Sequence, residues 1–335
     1  MYKPIITRLL IIMMILASGS YLTGQNKKLG QTGFQFLSVT SDARAAGMGG
    51  AMTTVEAYSA SLFFNPAGMA RVPNLLDVRF NQNEWIADIM HNSFSLSFRP
   101  GGGEYGVFGL SLLSVDYGDI QGTMVAENEQ GYVETETFTP SALAVGIGYA
   151  RALTDKFSVG AHLKSAHQSL GKSVIPVTDT TNTLIKNLAR ATAFDFGTIY
   201  FTGFKSLAFG MSVRNFSDEI KFESEGFQLP LTFRIGVSMD VLDLLPEKTF
   251  QSLLVSLDAV HPRSYPEYVD LGMEYTLAGM FAVRSGYLFN REEQGLTVGV
   301  GVQKRLKNIF FAVDYSSSPF GVFGNIQRLS LQFSL

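Results

Sequence analysis

Few residues in this chain have the types and spacing to do chemistry. Leu170-Gly-Lys-Ser173 has the second half of a phosphate loop, whose backbone N–H groups and lysine would cradle a nucleotide. The motif needs an earlier glycine, and Ala166 stands in its place. The tripeptide also follows a strand pattern and enters a loop instead of opening a helix, so nucleotide binding is rejected. Gly47-Met-Gly-Gly50 fails as a dinucleotide fingerprint, because Met52 holds the third glycine's position and no strand precedes it. Of His91, His162, His167 and His261, only the middle two share a segment. Five apart on a strand they point to opposite faces, so they make no metal pair. With no cysteine, thiolate zinc, iron–sulfur clusters, disulfides and a cysteine nucleophile are excluded together. No nucleophile–base–acid set emerges from the linear spacing. The expectation is a protein without catalytic machinery, cofactor or metal.

Composition says what kind of scaffold remains. Of 335 residues, 46% are hydrophobic and 12% aromatic, but only 16% are charged. Soluble domains run near about 25% charged. Beyond the N-terminus no apolar run approaches the roughly 18 residues of a spanning helix. A net charge of −3 offers no basic footprint for nucleic acid. Thirty-three glycines and 27 phenylalanines suit many twisted strands with aromatic surfaces. Lys3 and Arg8 precede the apolar stretch Leu9-Leu-Ile-Ile-Met-Met-Ile-Leu-Ala17 and then small and polar residues. That is the layout of a secretory signal peptide, read here as residues 1–24 with cleavage after Gly24. Nine apolar residues as a helix would cover only about 14 Å of a roughly 30 Å hydrocarbon core.

From residue 72 onward the chain reads as strand, turn, strand. Phe157, Val159, Ala161 and Leu163 alternate with Ser158, Gly160, His162 and Lys164; Leu296, Val298, Val300 and Val302 alternate with Thr297, Gly299, Gly301 and Gln303. Period two over about ten residues per segment is the pattern of a membrane-spanning strand. Fourteen such segments centre near Val78, Leu96, Leu110, Val145, Ala161, Phe196, Phe209, Ile235, Val255, Leu271, Val283, Val300, Val313 and Leu331. The even connections are tight apart from the eighth, at 242–251, whereas the third, fifth and seventh, at 120–137, 171–189 and 217–229, are long. Short turns on one side and long loops on the other are the habit of outer-membrane barrels. Lipid leaves no water for an unpaired sheet edge, so the first and last strands must pair. The expected fold is an all-β membrane protein: a 14-stranded antiparallel outer-membrane β-barrel over residues 72–335 with an N-terminal plug.

The faces opposite the apolar stripes carry Asp195, Arg214, Arg234, Asp258, Asp270, Glu274, Arg284, Asp314 and Arg328. Such charges are untenable against lipid but ordinary around a polar interior. They read either as a binding surface or, with more weight, as a mixed-sign network that fills the lumen. Residues 25–71 are too small-sided and broken for lipid-facing strands. Ala43-Arg44-Ala-Ala-Gly47-Met-Gly49-Gly50-Ala51 and Asn65-Pro66-Ala-Gly68 mark them as a compact plug or hatch of short helical turns, the glycines allowing close backbone packing.

Those two motifs, with Phe36-Leu-Ser-Val39, Asn83-Glu-Trp-Ile-Ala-Asp-Ile89, Gly210-Met-Ser-Val-Arg-Asn-Phe216, Leu257-Asp-Ala-Val-His-Pro262 and Gly295-Leu-Thr-Val-Gly-Val-Gly301, resemble the PorV/PorQ family over nearly the whole chain. The family is similar to the fatty-acid-transporter (FadL-like) barrels, which have fourteen strands and a hatch carrying an Asn-Pro-Ala motif. The resemblance implies a non-enzymatic component of the type IX secretion system. Its PorV-like members carry the C-terminal signal domains of exported cargo, and its PorQ-like members anchor a partner at the cell surface. The implied partners are outer-membrane lipid and type IX secretion proteins or cargo C-terminal domains; the alternative is a channel for hydrophobic small molecules. Candidate partner contacts lie in the long loops. Val174, Ile175, Val177, Leu184 and Ile185 are in the fifth, and Phe222 and Phe227 flank an acidic cluster in the seventh. Loops folded back over the barrel mouth are the alternative reading of the same residues.

Overall fold

The period-two segments fold into fourteen antiparallel strands closed on themselves. The computed structural model describes residues 32–178, 181–221, 225–246 and 250–335, so the signal peptide expected at 1–24 lies outside the described residues. The barrel strands, numbered in chain order, are β1 (Leu76–Glu84), β2 (Met90–Phe98), β3 (Val107–Asp116), β4 (Ser141–Ala152), β5 (Phe157–Thr178), β6 (Thr181–Phe201) and β7 (Ala208–Phe216). They continue as β8 (Thr232–Asp240), β9 (Gln251–Pro262), β10 (Tyr268–Leu277), β11 (Phe281–Leu288), β12 (Leu296–Leu306), β13 (Ile309–Pro319) and β14 (Asn325–Ser334). Every segment centre expected from the sequence falls within its strand. Closure runs between β1 and β14, where Phe80 stands opposite Leu331 and, on the other side, opposite Phe94 of β2. The alternation sorts the side chains cleanly. On β1, Asp77, Arg79, Asn81 and Asn83 are buried inside while Phe80 is exposed on the outer surface.

Among the tight turns, the one joining β10 to β11 places Ala278 and Gly279 at φ 54° and 62°. Two successive left-handed residues make the turn whose twist matches the flanking strands. The long connections correct the expectation of open loops. β5 and β6 run for 22 and 21 residues, about twice what a tilted strand needs to cross a bilayer. Their ladder continues past the membrane, with Val174 opposite Leu184 and Ile175 opposite Thr183. Residues 120–137 likewise form a hairpin, Ile120–Val125 against Tyr132–Phe138. Continued pairing supplies the backbone groups with partners that a bare loop would seek from water. The eighth connection contains a 3₁₀ turn, Val241–Leu244, capped by Asp240, whose carboxylate accepts from Leu242 N at 3.0 Å.

Inside the barrel lie a short helix, α1 (Ala43–Gly47), and 3₁₀ turns at Gln35–Ser38, Tyr58–Phe63 and Pro66–Met69. Asp42 caps α1 by accepting from Ala45 N at 2.9 Å. Asn65 caps the last turn by accepting from Ala67 N at 3.1 Å, with Pro66 pre-set at its first position. These elements meet the wall where the strands carry glycine. A Cβ on Gly299 would lie 3.2 Å from the Gly47 Cα, and one on Gly272 would lie 2.5 Å from the Met48 carbonyl oxygen. One on Gly286 would run into the Gly49 backbone, and one on Gly197 into the Asn65 carboxamide. Gly272, Gly286 and Gly299 therefore act as windows that let inner backbone touch wall backbone.

Two results are expected. Unboiled and boiled samples will migrate differently on a denaturing gel, as a closed barrel should. Gly286→Ala will destabilise the inner segment by about 1–3 kcal/mol through overpacking, read as faster proteolysis of residues 43–72 in the folded barrel. Gly295→Ala, whose nearest neighbour would be 3.9 Å away, will match wild type.

Candidate functional site

The inner segment is held by charge as well as by shape. Asp42 Oδ2 lies 2.5 Å from Arg79 Nε on β1, and Arg79 Nη2 lies 2.7 Å from Asp314 on β13. Asp314 then pairs with Arg284 on β11 at 2.8 Å, and Arg284 with Glu274 on β10 at 2.5 Å. Glu274 returns to the inner segment through a bidentate contact with Arg44 at 2.7 and 2.8 Å. Three carboxylates and three guanidiniums thus alternate in a ring that leaves α1 at Asp42, uses side chains of four strands and re-enters at Arg44. Its formal charge is zero. Although burial alone disfavours its charge, Glu274 beside it raises Arg44 above the ordinary guanidinium range, so it stays protonated.

Hydrogen bonds extend the latch. Thr53 donates from N and Oγ1 to Asp258 Oδ2 at 3.1 and 2.6 Å, and Arg234 Nη1 donates to the Gly50 carbonyl at 2.9 Å. Gly49 N donates to Thr297 Oγ1 at 3.1 Å, which itself donates to the Gly47 carbonyl at 3.2 Å. Asn65 Nδ2 donates to Thr53 O at 2.7 Å and to Thr198 O on β6 at 3.1 Å. Pro66, Ala67 and Gly68 are buried beside it, with Gly68 close against Ser61. The plug-motif residues named from the sequence are therefore brought together against the wall, with Ala43 donating its N–H to Ser330 Oγ at 2.8 Å. Asp42 and Arg79 were not among them. Period two on β1 exposes Arg79 as an inward cation, but nothing in the spacing pairs it with Asp42.

A second buried cluster was also missed. Ser111 Oγ lies 2.8 Å from His162 Nε2, and His162 Nδ1 lies 3.0 Å from Asp195 Oδ2. That is relay geometry, assembled from β3, β5 and β6 across separations no linear motif carries. Its members are also tied to their neighbours. Asp195 is already matched by Lys164 at 2.7 Å and accepts from Asn215 N at 2.7 Å. The adjoining cavity is small, about 30 Å³, with room for water.

The outer mouth is different. A cavity of about 620 Å³ opens above the inner segment, lined among others by Phe36, Trp85, Tyr117, Arg214, Tyr268 and Arg328. The seventh connection folds over one side of it. Phe227 stacks on Phe34 with ring centroids 6.1 Å apart, and Gly33 N donates to Gln228 O at 3.1 Å. Phe227 thus faces inward, while Phe222 lies outside the described residues. Of the fifth-loop candidates, Ile185 is half-buried, and Val174, Ile175, Val177 and Leu184 belong to the extended hairpin of β5 and β6. The hairpin at 120–138 presents Val125 at 89% exposure beside Tyr132 and Val133.

A family model described as "Type IX secretion system protein PorV" matches residues 22–255. No curated protein matches the sequence. Solved structures with the same fold include the Ralstonia pickettii toluene transporter TbuX, at TM-score 0.57 and 13% identity, covering 87% of this chain and 96% of that one. The CymD monoaromatic hydrocarbon channel is similar at TM-score 0.54 and 13% identity, covering 88% and 97%. A Pseudomonas aeruginosa FadL homologue aligns at TM-score 0.50 and 12% identity, covering 88% and 98%.

The ion-pair ring ranks its own variants. Glu274→Ala strands Arg44 and leaves Arg284 with Asp314 alone, and losing one partner of a buried pair costs about 3–5 kcal/mol. Arg44→Ala leaves Glu274 still paired with Arg284 and will do less. Wild type should be nearly silent in planar bilayers, Glu274→Ala should show frequent openings, and Arg44→Ala should fall between. Equal conductance in all three would show that the ring does not hold the lumen shut.

Proposed function

Because the chain belongs to the PorV family of type IX secretion proteins, we propose that it is an outer-membrane docking barrel that binds a secretion partner, or the C-terminal signal domain of exported cargo, through its outer hairpins. The observation that carries this reading is the latched interior. An inner segment fixed by five consecutive ion pairs supports a barrel that works by its surface. The plug of residues 25–71 is accordingly assigned a closing role, with Arg44 and Asn65 as its main attachments. Surfaces suited to a partner stand beyond the membrane. The β5–β6 hairpin carries Val174, Ile175, Val177, Leu184 and Ile185, and the 217–229 connection carries Phe222, its Phe227 being turned onto Phe34 and bracing the loop. The neighbouring hairpin adds exposed Val125 and Tyr132 to five carboxylates, with no lysine or arginine between 117 and 140. Exposed apolar residues rimmed by one sign of charge favour a partner of complementary charge.

A second reading, uptake of a hydrophobic small molecule, has the mouth cavity in its favour, and proteins of this fold are described as transporters of toluene and monoaromatic hydrocarbons. One comparison separates the two. Shortening the β5–β6 hairpin to the membrane surface, or trimming residues 217–229, should leave the gel shift intact. Either change should abolish co-purification of type IX components from detergent extracts. Unchanged recovery by both variants would remove the hairpins as the interface. Loss of labelled hydrocarbon uptake in a deletion strain, with no partner recovered, would put the transporter reading in its place.

A further inference from the structure

Five interior arginines, Arg44, Arg79, Arg234, Arg284 and Arg291, have carboxylate partners. Arg234 is matched by Asp258 at 3.5 Å and Asp270 at 3.3 Å, and Arg291 by Asp270 at 3.2 Å. Arg214 on β7 and Arg328 on β14 form no ion pair with any described residue. Arg328, 4% exposed, donates only to the Thr40 carbonyl at 2.8 Å and to Ser318 Oγ at 2.8 Å. Arg214, partly buried, donates to the Leu37 carbonyl at 3.2 Å, and its Nε is buried without a partner; Asp195, the carboxylate that acts on it, is already paired with Lys164 at 2.7 Å. The two strands are on opposite sides of the barrel, yet both guanidiniums reach the same short stretch, residues 37–40, and both line the mouth cavity. The acidic residues of that lining, Asp270, Glu292 and Glu293, lie on β10 and the 289–295 connection, on the side that already holds Arg234 and Arg291.

Carbonyls and a hydroxyl satisfy N–H directions but do not neutralise charge. A buried cation in that state is costly unless an anion reaches it. A guanidinium fork matches a carboxylate through paired charge-assisted hydrogen bonds. The remaining walls are aromatic, with Trp85, Tyr117 and Tyr268 among them, and Arg328 sits 5.7 Å from the Trp85 ring centre. A neutral hydrocarbon would strip water from these guanidiniums and return nothing. We propose that the mouth cavity binds a small carboxylate borne on an aromatic or short apolar body, with Arg214 and Arg328 as its cationic anchors. The site is independent of partner capture by the hairpins, and its failure would leave that reading untouched.

The chain supplies its own reporter, because Trp85 is its single tryptophan. Full-length protein in nanodiscs, titrated with 4-phenylbutyrate, should give a saturable change in Trp85 fluorescence. The neutral 4-phenylbutan-1-ol should bind at least about tenfold more weakly, since a charge-assisted hydrogen bond is worth about that factor. Arg214→Gln and Arg328→Gln should each weaken the acid about tenfold, whereas Arg328→Lys, which keeps the charge, should stay within a few-fold of wild type. The heat shift on a gel checks assembly of each variant. If Arg328→Gln does not assemble, Arg214→Gln and the acid–alcohol comparison decide. Equal affinity for acid and alcohol, wild-type affinity in the Gln variants, or no saturable change with either compound overturns the proposal.

Discussion

The hydrocarbon core of a bilayer offers backbone N–H and C=O groups no water, and every other feature of this protein follows from that. A sheet in lipid must close, so β1 pairs with β14 and no edge remains. Closure gives each strand one lipid face and one lumen face, and the period-two pattern fills them oppositely. A lumen lined by Asp, Glu, Arg and Lys must then resolve its own charge. Sharing six ionised groups among five contacts around Asp42, Arg79, Asp314, Arg284, Glu274 and Arg44 does so with no net charge left over.

That ring does two jobs with one set of side chains. Buried ion pairs contribute little net stability, because desolvation offsets most of their attraction. Their leverage is in specificity: each carboxylate has its guanidinium in one register of the inner segment only. The glycine windows act in the same direction by steric means. Gly272, Gly286 and Gly299 leave gaps on neighbouring strands that the backbone of residues 47–49 fills. Charge fixes where the segment goes, and missing side chains fix how closely it can lie. The Ser111–His162–Asp195 cluster, with Lys164, ties β3, β5 and β6 together in the same way.

One barrel architecture serves secretion components and hydrocarbon channels alike, so fold leaves function open. What distinguishes this chain is where its exposed and uncompensated groups lie. Val125, Tyr132 and Val133 are exposed on the 120–138 hairpin, and Arg214 and Arg328, with no ion pair among the described residues, line the mouth cavity. Both features face outward, away from the latched interior.

The strands were legible in the sequence because burial on one face only imposes a two-residue period, and that period survives in a linear string. Closure, strand count and the sidedness of loops follow from it by geometry and parity. Legible too were the plug motifs around Ala43 and Asn65, since short turns require small residues, caps and proline at fixed offsets. The partner of each inward charge was not. Asp42 meets Arg79, and Ser111 meets His162, through strand order and register, which set contacts across separations from tens to hundreds of residues. For the same reason residues 120–137 and 171–189 look like loops in the sequence and become hairpins in the fold. Their pairing is a property of two chains in register, and one strand's composition carries no record of it. The sequence by itself determined which faces are apolar; only tertiary structure decided which charges find partners and which, like Arg214 and Arg328, do not.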